Sequence, residues 1–228
     1  MSGFVLKLIA MVTMIIDHVT AVFVPTGTVA YFIGRAIGRV AFPLFCFLLV
    51  EGFYHTKSIK KYVLRLAAFA LISEIPFDLA IRRKFFDWNY QSVMLTLLIG
   101  LVCIGLVEYI KQRFYPMQLF VYTVLSSLVM LAAGILAMAL GTDYGMFGIV
   151  VILIMYFARR SKPLQLAGFI GASVLSYGLR GTETIGALAF IFIFLYNGKK
   201  GPDDKKAFYL VYPLHLLVLG ILKMFVFV

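Results

Sequence analysis

Long apolar runs separated by short polar joins make up the whole chain. Runs near the length of a bilayer crossing fall at about 4–24, 29–53, 62–81, 92–110, 117–140, 144–158, 164–179, 184–196 and 207–227. A helix needs about 20 apolar residues to cross a hydrocarbon core. Continuous apolar runs of this length, without strict alternation, are helical. The seventh and eighth are short enough to be re-entrant or tilted. Gly and Pro punctuate most joins, at Pro25-Thr26-Gly27, Gly141, Lys162-Pro163, Gly181 and Gly201-Pro202, where they favour turns. No internal repeat and no low-complexity tract is visible. The pattern predicts an all-α fold: a polytopic integral membrane helix bundle of about nine transmembrane helices, built as one domain over residues 1–228.

Composition agrees. The chain is 63% hydrophobic and only 14% charged, against about 25% charged in a soluble domain. A net charge of +11 would suggest nucleic acid in a soluble protein. Here most of it lies in short loops between apolar runs, where it reports orientation and leaves nucleic acid out as a partner. With the N-terminus in the cytoplasm, the inner side holds Lys7, Lys57, Lys60, Lys61, Lys111, Arg113, Arg159, Arg160, Lys162, Lys199, Lys200, Lys205 and Lys206. The outer loops hold Arg82, Arg83, Lys84 and Arg180. The cluster Arg82-Arg83-Lys84 breaks the rule, so either a span is miscounted or that loop folds back. Cys46 and Cys103 lie in apolar runs without metal or disulfide spacing. The first run lacks a charged leader and a small-residue cleavage site, and reads as a retained helix.

Ionisable groups inside the runs carry the candidate chemistry, because they are expensive in hydrocarbon and tend to face a bundle interior. The first run holds Lys7 and the pair Asp17-His18. Lys7 and His18 are three helical turns apart, on one face and separated by roughly 16 Å. The second run holds Arg35 and Arg39, one turn apart on a shared face, and Glu51. A hairpin at Pro25-Thr26-Gly27 brings Asp17 and His18 level with Arg35 and Arg39 in the outer half. It leaves Lys7 near Glu51 and His55. The third run adds Glu74 and Asp78 at a similar level, with a proline kink expected at Pro76. The last carries Tyr209, Tyr212 and His215. Asp143 is expected to cap the sixth helix. Paired arginines and carboxylates also suit a purely structural network. An imidazole is not needed for that neutralisation, which favours chemistry at His18. A lone histidine such as His215 is more often a hydrogen-bonded core residue. Three histidines at such different depths do not make a zinc site, and no metal is expected.

Several stretches resemble the TraX family: Lys7-Leu-Ile-Ala, Asp17-His18, Gly38-Arg-Val-Ala-Phe-Pro-Leu-Phe, Glu51-Gly-Phe-Tyr-His-Thr, Ser73-Glu-Ile-Pro-Phe-Asp78, Asp143-Tyr-Gly and Phe208-Tyr-Leu-Val-Tyr-Pro-Leu-His215. The resemblance covers nearly the whole chain and is most specific from Gly38 to Ala80. The family's namesake N-acetylates F-type pilin, and the family is thought related to the membrane acyltransferase-3 group. That group carries a basic residue, ten intervening residues and a histidine in its first helix, the spacing of Lys7 and His18. Its Arg-x-x-Arg motif finds Arg35-Ala-Ile-Gly-Arg39 here, one residue longer and in the second helix.

The resemblance implies an acetyl-CoA-dependent acyltransferase domain in a bacterial cytoplasmic membrane. Lys7, Lys57 and Lys61, with Lys60, would hold the phosphates of acetyl-CoA. His18 would act as general base or acyl carrier, oriented by Glu74 or Asp78 in preference to its neighbour Asp17. Arg35 or Arg39 would contact the donor's oxyanion. Glu51, Tyr212 and His215 complete the candidate set. The implied partners are acetyl-CoA, membrane lipids and an acceptor peptide, glycan or small molecule. A small proton-coupled transporter and an assembly factor without chemistry remain the alternatives.

Overall fold

The computed structural model describes residues 1–178, 181–202 and 205–226. Arg180 lies outside the described residues, as do the side chains of Lys205, Lys206, Phe208 and Tyr209. Among the described residues ten α-helices follow one another: α1 Gly3–Phe23, α2 Val29–Gly38, α3 Ala41–His55, α4 Ile59–Phe77, α5 Val93–Phe114, α6 Leu119–Ala139, α7 Gly145–Phe157, α8 Lys162–Tyr177, α9 Ala189–Phe194 and α10 Lys205–Val226. A π-turn, Asp78–Arg82, extends α4, and a 3-10 segment, Thr182–Leu188, leads into α9. Among the described residues the sole β-type pairing is the bridge Gln91–Thr142. Four stretches of the described residues are long and apolar enough to cross a membrane: α1, α2 with α3 (Val29–His55), α5 and α6. Gly145–Phe157, Thr182–Phe194 and Leu210–Phe225 are apolar but shorter.

Local chemistry sets the helix starts. Ser2, Thr28, Ser58 and Ser161 each accept a backbone N–H three residues on, at 3.1 to 3.4 Å, as good N-caps do. The second apolar run is not one helix. It breaks at Arg39-Val40, and Pro43 sits in the first turn of α3, where a missing N–H costs no hydrogen bond. Pro76 lies near the end of α4, which then widens into the π-turn and closes at Arg83, a left-handed residue with φ 57°. Asp143 does not cap α7. Tyr144 holds the N-cap position without a side-chain cap bond, and the Asp143 carboxylate instead accepts the Tyr90 hydroxyl. Burial pushes the Asp143 carboxyl up, while the Tyr90 bond and the Arg39 charge pull it down.

Two ends of the bundle are defined by cross-links. At the first, Gly3 N–H and Phe4 N–H donate to the carbonyls of Lys199 and Lys200 at 2.8 and 2.9 Å. Lys162 Nζ donates there to the carbonyl of Tyr196 at 2.9 Å. At the second, Gln91 N–H donates to Gly141 O and Asp143 N–H to Gln91 O, both at 2.9 Å. The basic loop belongs to this second end and folds back. Arg82 and Lys84 donate to Asp87 at 3.2 and 3.3 Å, and Asp87 N–H donates to Asp78 at 2.7 Å. One buried core runs through α1, α3, α4, α5, α7 and α10. Helix α6 shows an apolar outer face, with Phe120 and Leu128 exposed, as hydrocarbon contact allows.

Candidate functional site

A cavity of about 720 Å³ opens at the first end. Lys7, Lys57, Lys61, Arg65 and Lys200 line its mouth, with Glu51 and His55 beside them. Its far wall is apolar, formed by Met14, Met94 and Leu97, and closed by Tyr212. Residues three and four apart on a helix share a face. Lys7, Met11 and Met14 are such a stripe along this cavity, and His18 is the next member. The hairpin geometry correctly brings Lys7, Glu51 and His55 to one place.

The histidine pair lies at the head of that stripe. His18 Nδ1 is 2.7 Å from His215 Nε2, and His215 Nδ1 is 2.7 Å from the carbonyl of Val211. The imidazole planes are within 4° and their centroids are 5.0 Å apart. A face-to-face pair such as Phe42–Tyr144 brings centroids to 3.6 Å, so the histidines lie edge to edge in one plane. The chain of contacts fixes the protons. A carbonyl only accepts, so His215 Nδ1 carries hydrogen and its Nε2, in the neutral ring, holds a lone pair. His18 Nδ1 must then be the donor. That leaves His18 Nε2 unprotonated, its tautomer set by a partner ring.

The expected orienting carboxylates are elsewhere. Glu74 accepts from the backbone N–H and hydroxyl of Ser92, at 3.2 and 2.6 Å, and Asp78 accepts Asp87 N–H. The reason is topological: α4 ends under the loop 83–92, whose N–H groups take both carboxylates, while α10 packs against α1 and delivers His215. Asp17 pairs with Arg35 at 2.6 Å, in line with the turn of about 100° between adjacent helical residues.

Arg35 and Arg39 do not line the first cavity. With Thr28, Tyr31 and Thr182 they line a second, of about 480 Å³, beyond the histidine pair. Arg39 Nη1 meets Glu183 at 3.1 Å and the Tyr144 hydroxyl at 3.4 Å. Glu51 accepts from Arg159 at 2.8 Å and from the Tyr196 hydroxyl at 3.2 Å. Lys57 and Lys61 are exposed at the cavity mouth.

Sequence reasoning missed Arg65, Lys200 and Glu183. Arg65 stands one turn after Lys61, so the i, i+4 spacing marks it as a second cation on that face. Lys200 reaches the site only because residues 197–201 fold onto the start of α1, and no local pattern announces that.

Fold and cavities together define an all-helical membrane protein that holds a half-buried histidine pair near a basic-mouthed cavity. Within that class the chain belongs to the TraX family: the family described as TraX protein matches residues 2–223. It is also similar to "Probable fimbrial assembly protein FimC, serogroup H1" from Dichelobacter nodosus, 28% identical over 250 aligned positions that cover 98% of this chain and 96% of that one. No solved structure matches the chain.

Proposed function

We propose that this protein is a membrane-embedded acetyltransferase that moves an acetyl group from acetyl-CoA to an amine or hydroxyl of an acceptor. The carrying observation is the chain Val211 carbonyl–His215–His18, one helical step past Met14 and against Tyr212, both of which line the basic-mouthed cavity. It leaves the lone pair of His18 on Nε2, and a general base needs a lone pair. The cavity supports the donor assignment. Its cationic mouth suits phosphates, its length along α1 suits a pantetheine arm, and its apolar far wall suits a thioester.

In the reaction, His18 Nε2 takes the acceptor's proton as the acceptor's lone pair attacks the thioester carbonyl carbon. The carbonyl oxygen gains the π electrons. On collapse the carbon–sulfur bond breaks, and the CoA thiolate takes the proton back from His18. His215 is a positioning residue: it holds the His18 tautomer and receives a hydrogen bond from the imidazolium that forms. Lys7, Lys57, Lys61, Arg65 and Lys200 hold the donor. The acceptor enters through the second cavity, past Arg35 and Arg39. We place nine crossings in a bacterial cytoplasmic membrane, with the N-terminus and the cavity mouth inside, following the cation count. The name of the Dichelobacter relative supports a fimbrial component as acceptor.

Purified protein given labelled acetyl-CoA tests the reading. His18→Ala should abolish acetyl transfer and CoA release. Wild-type rates in that variant would overturn the role of His18, and solute flux without CoA consumption would favour a transporter.

A further inference from the structure

We infer that the Tyr212 hydroxyl is a catalytic hydrogen-bond donor to the thioester oxygen, an assignment that rests on the acetyltransferase reading above. Transfer to an acceptor puts negative charge on that oxygen, and a positioned donor in a water-poor site is a strong stabiliser of it. The arginines do not fill the role, because Arg35 and Arg39 line the other cavity and each holds a carboxylate. Tyr212 lines the donor cavity itself. Its ring stands edgewise to both imidazoles, at centroid distances of 6.1 Å from His18 and 5.6 Å from His215.

The hydroxyl is available. Tyr212 is only 4% exposed, and its oxygen makes no hydrogen bond of standard geometry among the described residues. A buried hydroxyl left unpaired is costly, and such a group calls for a functional explanation. Ser92 is its polar neighbour. The Ser92 proton is given to Glu74 at 2.6 Å, so Ser92 offers Tyr212 a lone pair and no competing donor. A developing oxyanion is the stronger acceptor and takes the hydroxyl in preference to Ser92. The Tyr212 O–H bond stays intact through the step: it donates as the carbonyl oxygen becomes negative and relaxes as the carbonyl re-forms and the carbon–sulfur bond breaks. Glu74 and Ser92 thereby gain a place in the site, holding the neighbour of Tyr212 in its accepting orientation.

Hydroxylamine serves as a small acceptor, because acetyl transfer to it gives a hydroxamate that is assayed directly. Wild-type protein should form acetohydroxamate from acetyl-CoA faster than the uncatalysed reaction. Tyr212→Phe should lower kcat about 100-fold or more, the size of one oxyanion donor, with KM for acetyl-CoA and the thermal shift produced by CoA retained. No catalysis by wild-type protein would overturn the acetyltransferase reading and this assignment with it. Equal rates for wild type and Tyr212→Phe would overturn the assignment alone. If Tyr212→Phe does not yield folded protein, Tyr212→3-fluorotyrosine decides. It keeps the hydroxyl as a stronger donor, so a changed kcat supports the role and an unchanged kcat overturns it.

Discussion

A Cβ atom added to Gly38 would lie 2.0 Å from Oδ1 of Asp17. One turn earlier, a Cβ on Gly34 would lie 2.1 Å from the Thr20 hydroxyl. These two glycines let α2 close onto α1, as small residues four apart do in membrane helix pairs. The contact sets the depth at which Asp17 meets Arg35. Gly38→Ala should therefore push the helices apart, costing about 1–3 kcal/mol as overpacking does. The protein should unfold several degrees lower, at roughly 2–4 °C per kcal/mol for a chain of this size. Thermal unfolding in detergent measures this, and an unchanged Tm would mean that the hairpin yields without cost.

His215 should matter to rate more than to donor binding. It touches His18 and the Val211 carbonyl and does not line the donor cavity. His215→Leu removes the acceptor for His18 Nδ1–H and should lower kcat by about 100-fold, within the range of a general-base contribution. KM for acetyl-CoA should hold. His215→Gln places a carbonyl oxygen within reach of His18 and should recover part of the loss. A merely structural histidine would show no such recovery, so steady-state kinetics of the two variants separates the roles.

Much of this was legible from residue order. The apolar runs located the helices because hydrocarbon demands long unbroken stretches. The short Pro25-Thr26-Gly27 turn fixed the relative depth of Asp17 and Arg35. The break at Arg39-Val40 was hidden, since hydropathy continues through it and Gly38 and Pro43 on either side are both tolerated within membrane helices. The His18–His215 pair was beyond local reasoning. The two rings are 197 residues apart, and only the packing of α10 against α1 brings them together. Glu74 and Asp78 misled for a related reason. Their spacing puts them on one face of α4, but the N–H groups of loop 83–92 that claim both carboxylates follow from how that loop folds back.

The cavity mouth makes a prediction about charge. Lys7, Lys61 and Arg65 line it from two helices, α1 and α4. A charge-assisted hydrogen bond contributes about 1.5–3 kcal/mol, which is roughly 10- to 100-fold in binding. Replacing all three by Gln should raise KM for acetyl-CoA by at least about 10-fold with a smaller change in kcat. The wild-type KM should also rise with salt, as screening weakens exposed charges, and the triple variant should lose most of that dependence. Salt titrations of both proteins give the comparison directly, and equal slopes would remove these residues from donor binding.

The loop clamp at Asp87 links pH to stability. Asn89 N–H, with Arg82 and Lys84, holds the Asp87 carboxyl below the usual carboxylate range. Its own N–H is tied to Asp78 at 2.7 Å. A carboxyl whose folded pKa is depressed stabilises the fold above its unfolded pKa and loses that effect as pH falls through the folded value. Asp87→Asn should therefore lower Tm at pH 7. The gap between variant and wild type should narrow as pH drops below about 4, the unperturbed carboxylate value, because protonation then discharges the wild-type carboxyl too. Thermal unfolding of both proteins between neutral and acid pH measures the gap. A gap independent of pH would mean that Asp87 acts through shape alone. Loss of the clamp should also loosen the anchoring of Asp78, the link by which loop 83–92 holds the end of α4.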